Sequence, residues 1–518
     1  MRRLLPLALA STLAACTVGP DFTAPDPRAQ TPAGFNDTAR APNAAVTMQA
    51  QPDPLWWTRF NDPVLNGLVE RTVAGNPGLQ QAVLRIAQAR QNEAATRGAA
   101  LPSIGANGSY TRQQLGLRGI LESRGAFEGA ENLRGNSRLE EVEPGLGNRA
   151  ADALGGALNA ATRPSNLFQA GFDASWELDL FGRIRRQVEQ AGAQTGAALE
   201  GSNDALVSLL AEVAQTYAGL RGAQALAAAQ QENVDAAREL LRLNERRQRQ
   251  GLGTQLDVEN QRAQVTSFEA QLQPYTRQVQ QAMNRLSVLT GQPPGTLDDA
   301  LAAPRPIPPA PPVVPVGLPS DLARRRPDIR RAEANLHAAT AGIGVAVAQF
   351  YPSISLTGSL GLRGVEVSAL SDWASHFYSL GPTISIPIFQ GGRLTANLKL
   401  AEARQQEAAL AYRAAVLQGL QEVEDSLVAY RTDRAQAEKL RETVKAAGTA
   451  LFLARDRYDH GLSSFIEVLD AQRVLVQARQ QEVQARLALT NDVIALYKAL
   501  GGGWSDGEWL SRAQAAQP

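Results

Sequence analysis

The sequence predicts a mixed α and β membrane protein in which four β-strands per chain cross a bilayer and very long helices make up most of the rest. Three observations carry this. After the first fifteen residues nothing approaches the ~20 consecutive apolar residues of a transmembrane helix, so any crossing is by strands. Four runs alternate apolar and polar residues with period two. Two stretches, Arg183 to Gln248 and Arg393 to Arg457, contain no proline. Composition excludes several other classes. The 51 basic and 51 acidic side chains cancel, which leaves no basic excess for nucleic acid. A single cysteine excludes a disulfide framework, and His337, His376 and His460 lie too far apart in sequence for a metal centre. No enzyme activity and no cofactor are expected beyond a covalent lipid on Cys16. Aromatics are only 5%, which suits long helices with small contact residues.

The elements follow in chain order. Met1-Arg2-Arg3 and the apolar Leu4 to Leu13 read as a signal peptide over 1–15, too short to span a membrane. Leu13-Ala14-Ala15-Cys16 places the only cysteine where a lipoprotein precursor is cut and acylated. Thr17 stands where an aspartate would favour retention in an inner membrane, so the expected destination is the outer membrane of a Gram-negative bacterium. Residues 16–59, rich in Pro, Ala and Thr, read as an extended arm.

The remainder is two copies of one unit. Leu101-Pro102-Ser103-Ile104 recurs as Tyr351-Pro352-Ser353-Ile354, and Asn76-Pro77 as Arg326-Pro327, both at an offset of 250. From Arg183 and Arg393 onward the offset is 210, through Glu212-Val213 and Glu422-Val423, Gly251-Leu252 and Gly461-Leu462, and Gly291 and Gly501. The repeats are 60–291 and 326–503. Between them 292–325 is a Pro-rich connector, expected to be extended from Pro304 to Pro319 because proline cannot continue a helix or a central strand. Residues 504–518 form a tail. The first repeat carries about 40 extra residues, read as a long loop over 115–165, rich in Gly, Asn and charge without a period.

The period-two runs are Phe172 to Leu180, Ser353 to Leu362, Thr383 to Ile388 and, more weakly, Ser103 to Arg112. They are near the ~9–11 residues of a tilted membrane strand. Phe181, Phe350, Tyr351, Trp373, Phe377 and Tyr378 flank them as interfacial aromatics. Four strands cannot close a barrel, and open edges in lipid are costly, so several chains must pool them; two would give eight strands and three twelve. Leu420, Val423, Leu427, Tyr430, Ala437, Leu440, Val444, Ala447 and Leu451 follow a 3-4 spacing broken at Arg434, a coiled-coil seam. Shorter helices follow over 255–291 and 464–500, after turns at Gly251 and Gly461. Further helical segments end near Arg97 and Gln349.

At this point the chain resembles the TolC-like outer membrane efflux channel family, in its lipoprotein branch. The residues that carry the resemblance span nearly the whole chain. They are Cys16 to Phe22, Trp56-Trp57 with Phe60 and Asp62-Pro63, Leu318 to Leu322 with Arg325 to Asp328, and Phe350 to Ile354. Leu469 to Arg473 and Tyr497 to Trp504 complete them. The resemblance implies a homotrimer with a 12-stranded outer-membrane β-barrel and a periplasmic α-helical barrel. It implies a periplasmic adaptor, an inner-membrane efflux pump and a passive duct for drugs and toxic compounds. It also implies a periplasmic gate of Ile466, Glu467, Asp470 and Arg473, with Tyr458 tying the second hairpin to its neighbour. Asp257 is the gate's partner side, and the turns at Gly251 and Gly461 are the adaptor-docking tips. The insert is implied to lie in the first outer loop. Two other readings stand beside the efflux duct: a duct for type I protein secretion, and a pore-less lipid-anchored coiled-coil scaffold.

Overall fold

The structure is a computed structural model that describes residues 17–29, 31–36, 46–47, 53–114 and 116–504. Cys16, the signal peptide and the tail after Trp504 lie outside the described residues. In chain order the main elements are β1 (Val46–Thr47), α1 (Pro63–Gly75), α2 (Pro77–Gly98) and β2 (Ser103–Gln113). Next come α3 (Leu117–Ser123), α4 (Ala126–Glu131), α5 (Ser137–Val142), α6 (Leu146–Thr162) and β3 (Ser165–Leu178). Then follow α7 (Arg183–Arg249), α8 (Gln255–Leu289), α9 (Asp298–Leu301), β4 (Val314–Pro315), α10 (Pro319–Arg325) and α11 (Pro327–Ala348). The chain ends with β5 (Ser353–Gly364), β6 (His376–Ser385), α12 (Arg393–Asp459) and α13 (Phe465–Ala499). No described helix is long and apolar enough to cross a membrane.

The chain divides into two compact units. The first is built on one antiparallel sheet of order β2-β3-β5-β6. Its register pairs Ser103 with Ser175, Trp176 with Leu356, and Ser353 with Ser385. The expected fourth strand is shifted: β6 ends at Ser385, so Ile386 and Ile388 lie beyond it, both exposed. The stop falls where its partner strand begins, since Ser385 pairs with Ser353, the first residue of β5, whereas Pro382 lies within β6 without ending it. Conversely β3 begins at Ser165, seven residues before the alternation at Phe172 becomes regular. Phe181 stacks on Tyr351 at 4.8 Å, and Trp373 on His376 at 4.7 Å.

The insert is not the structureless loop that its composition suggests. It folds into α3 to α6. Gly116, Gly125 and Gly145 precede helices with positive φ and so set the breaks between them. Arg134 bridges Glu131 at 3.0 Å and Asp152 at 2.6 Å, joining α4 to α6. Gly147 is required by close approach, because a Cβ there would meet the Leu133 carbonyl oxygen at 2.6 Å.

The second unit shows the repeat in its hydrogen bonds. Asn76 donates through Nδ2 to the Leu289 carbonyl at 2.8 Å, and Arg326 donates through Nη1 to the Ala499 carbonyl at 2.8 Å. Asn76 and Arg326 are repeat partners, and so are Leu289 and Ala499. In each half one polar side chain at a helix start therefore satisfies a carbonyl at another helix's end. Both long helices have 67 residues, ~100 Å at ~1.5 Å per residue, and both α8 and α13 have 35. Within the seam on α12, Val423, Leu427, Tyr430, Ala437, Ala447 and Leu451 are buried. The core gathers Trp56, Phe60, Leu65, Tyr217, Tyr430 and Tyr497, with Trp56 stacked on Tyr497 at 5.4 Å. The Trp56-Trp57 motif thus anchors the arm. Asp62 caps α1 through Val64 and Leu65 backbone N–H and accepts from the Tyr217 hydroxyl at 2.6 Å. Burial and this carboxylate push the Tyr217 phenol up to about 12. Within 292–325 the ends fold into the short helices α9 and α10, and between them β4 pairs in parallel with β1.

Candidate functional site

Two surfaces carry the candidate function, one in each unit. The first is the sheet. Antiparallel pairing places residues of equal parity on one face, and here a single parity rule holds across all four strands. The odd-numbered face carries Ser103, Asn107, Asp173, Ser175, Thr357, Ser359, Ser379 and Thr383, with glycine at 105, 171, 361 and 381. The even-numbered face carries Ile104, Tyr110, Phe172, Trp176, Leu360, Tyr378, Leu380 and Ile384, all more than a third exposed. A sheet with one wet, small-residue face and one bare apolar face is built for a bilayer outside and water inside. Glu177 on the polar face is neutralised by Arg183, with contacts of 3.0 and 2.6 Å.

The N-terminal residues that follow Cys16 dock on this same unit. Val18 N–H donates to the Phe181 carbonyl at 3.2 Å. Arg186 Nε donates to the Val18 carbonyl at 3.2 Å.

The second surface is the pair of helical hairpin tips. Gly251 and Gly461 both have φ of 72°, the left-handed conformation that ends a helix. The closing bonds repeat as well: Leu252 N–H to the Arg247 carbonyl, and Leu462 N–H to the Arg457 carbonyl, each at 2.8 Å. Nothing lies within 4 Å of a Cβ built on either glycine, so both tips are open.

Beyond the second tip, Ile466, Glu467, Asp470 and Arg473 are all exposed on α13. Asp470 and Arg473 approach to 3.6 Å, with each side chain 65% exposed. The opposite face of this turn buries Phe465, Val468, Leu469 and Gln472. Tyr458 is buried, donates to Asn244 Oδ1 at 3.3 Å, packs on Phe465 at 5.3 Å and lies under the Arg247 guanidinium at 4.5 Å. Burial raises its phenol pKa, and Arg247 opposes the shift. Within one chain, then, Tyr458 ties the end of α12 to the end of α7. Asp257 occupies the position in the first hairpin that Glu467 occupies in the second, but its carboxylate closes a capping box with Thr254. Ser464, the matching residue, makes no side-chain cap, which leaves Glu467 uncommitted.

Sequence reasoning missed the carboxylate pair Asp433 and Asp492, which α12 and α13 bring together. The only signal was in the repeat, where the partner positions are Ala223 and Ala282.

A chain with a four-stranded sheet bare on its apolar face and helical hairpins built on 67-residue helices is of the outer-membrane efflux channel class. The sequence matches the outer membrane efflux protein family over residues 68–292 and 318–502, and the chain belongs to that family, a non-enzymatic outer-membrane component of efflux pumps. It is 33% identical to the outer membrane protein OprJ of Pseudomonas aeruginosa, over 97% of this chain and 96% of that one. It is 37% identical to the solvent efflux pump outer membrane protein SrpC of Pseudomonas putida, over 66% and 73%. Its fold matches the outer-membrane channel OprN with a TM-score of 0.80 at 32% identity, over 94% of this chain and all of that one.

Proposed function

We propose that three copies pool their strands and helices into one passive duct, through which an inner-membrane pump and a periplasmic adaptor discharge small toxic molecules. The observation that carries this is the sheet itself: its even face is apolar and bare, its odd face is hydroxylated, and its edges β2 and β6 have no partner strand within the described chain. SrpC belongs to a solvent efflux pump, and another relative, 31% identical, is the antibiotic efflux pump protein ArpC; apolar drugs and solvents are the cargo that likeness supports. Acylated Cys16 anchors the mature chain beside the sheet, supported by the docking of Val18 on Phe181. The open turns at Gly251 and Gly461 receive the adaptor.

Ile466, Glu467, Asp470 and Arg473 line the periplasmic gate, with Asp257 on its partner side and Tyr458 holding the hairpins behind them. Three-fold symmetry sets three Asp470 carboxylates about one axis, each with Arg473 close by. The test is planar-bilayer conductance of the purified protein. Wild type forms discrete channels of low conductance, and Asp470→Ala combined with Arg473→Ala raises it severalfold. Absence of any channel removes the duct; channels indifferent to the double substitution remove the gate.

A further inference from the structure

Of the charged residues on the odd face of the strands, Glu177 is matched by Arg183, but the other two, Asp173 and Arg363, are held by neutral partners. Asp173 accepts from the Asn107 amide of β2. Arg363 of β5 donates through Nε and Nη2 to Gln169 Oε1 at 3.2 and 3.0 Å and lies 4.7 Å above the Phe377 ring. Each charge is therefore fixed in place across a strand pair without being cancelled. The register sets them in different rows. Asp173 lies opposite Gly105 and Ser359, in a concave part of the sheet of about 470 Å³ that Ser175, Thr357 and Ser379 also line. Arg363 lies opposite Gln169, in the row of Ser109. Four residues separate the rows, ~13 Å along the strands.

We infer that the barrel lumen carries two charge rings in series, anionic at Asp173 and cationic at Arg363, which select among charged solutes within the outer-membrane segment itself. This rests on the proposed duct, in which the odd face lines the water. A cation is concentrated at the first ring and repelled at the second, and an anion the reverse. A zwitterionic solute finds a complementary charge at both rings and meets no net barrier. The effect is local, because the Debye length is ~10 Å at 0.1 M salt, shorter than the spacing of the rings, and ~30 Å at 0.01 M.

The test places a thiol beside each ring, by Ser359→Cys or Ser109→Cys, and measures its reaction with small cationic and anionic methanethiosulfonates at 0.05 M salt in the assembled protein in proteoliposomes. The unsubstituted chain gives the background. Cationic reagent is expected to lead at position 359 and anionic reagent at 109. Asp173→Asn is expected to change the rate ratio at 359 by on the order of five-fold, as one unit charge ~5–7 Å away in water implies for reagents of opposite sign. Arg363→Gln is expected to change the ratio at 109 oppositely. Thiols that react with ratios unmoved by these substitutions overturn the rings while leaving the duct standing. Thiols that neither reagent reaches overturn the water-lined face, and the rings with it.

Discussion

Asp492 and Asp433 show how one pair of residues can set a pH dependence. Burial, then the charge and hydrogen bond of Asp433, push the Asp492 carboxyl from 3.8 up to about 7. Between those two values the folded chain keeps a proton that the unfolded chain has released, so stability falls as pH rises across that window and stays low above it. Asp492→Asn removes the loss. Its melting temperature is expected to match wild type at pH 4 and to exceed it at pH 8. An increment of about 1–2 °C is the right scale, since ~1 kcal/mol moves a chain even half this size by ~2–4 °C. An increment equal at both pH values would show that the proton plays no part. Neither aspartate announces this in the sequence, because 59 positions separate them and only helix packing makes them neighbours. The residues of the proposed gate differ: Ile466, Asp470 and Arg473 share one helix face by spacing alone, and the structure leaves that face exposed. What spacing could not show is that Asp257 is committed to its cap while Glu467 is not.

Among the elements, legibility followed the length of the periodic signal. The 67-residue helices, the turns at Gly251 and Gly461 and the strand from Ser353 were plain in the sequence, because period, proline and glycine all pointed one way; β2 was legible more weakly, and β3 without its first seven residues. The last strand was misplaced, since the alternation of Ile384, Ile386 and Ile388 runs on past Pro387 where the hydrogen bonding has stopped. The insert was missed as structure for two reasons. Helices of six or seven residues are too short for a 3.6 period to register, and the 17-residue α6, which does carry a one-sided apolar period through Ala151, Leu154 and Leu158, was passed over because its Gly and Asn content reads as loop. Ion pairs such as Arg149 with Glu143 and Arg134 with Asp152 join the elements of this cap. Gly135, with φ of 73° and open space around it, sits between α4 and α5. An epitope inserted there is expected to leave the fold intact and to bind antibody on whole cells. Binding only after the outer membrane is permeabilised would place the cap on the periplasmic side and reverse the topology.

At the scale of the whole molecule, the number of copies follows from the sheet. Each chain brings four strands with open edges at β2 and β6, and backbone groups left unpaired in hydrocarbon cost several kcal/mol each, so closure takes a whole number of chains. Two copies give eight strands, and the interior of such a barrel is only wide enough to be filled by side chains. The odd face carries little such filling: glycine at 105, 171, 361 and 381 and serine at 103, 109, 359 and 379 leave it shallow, with the larger Gln169, Arg363 and Phe377 gathered toward one end. An eight-stranded closure would therefore enclose an unfilled cavity too narrow to conduct solute, whereas twelve strands give a water-filled lumen that small polar residues suit. Three is thus the smallest number that both closes the edges and keeps a duct. Native mass spectrometry of the detergent-extracted protein is expected to show three chains, and the trimer is expected to dissociate when two adjacent residues of β2, Gly108 and Ser109, are both replaced by proline, since one of the two N–H groups faces the open edge. A stable species of two chains, or a trimer indifferent to those prolines, would mean that the strands are not what holds the copies together.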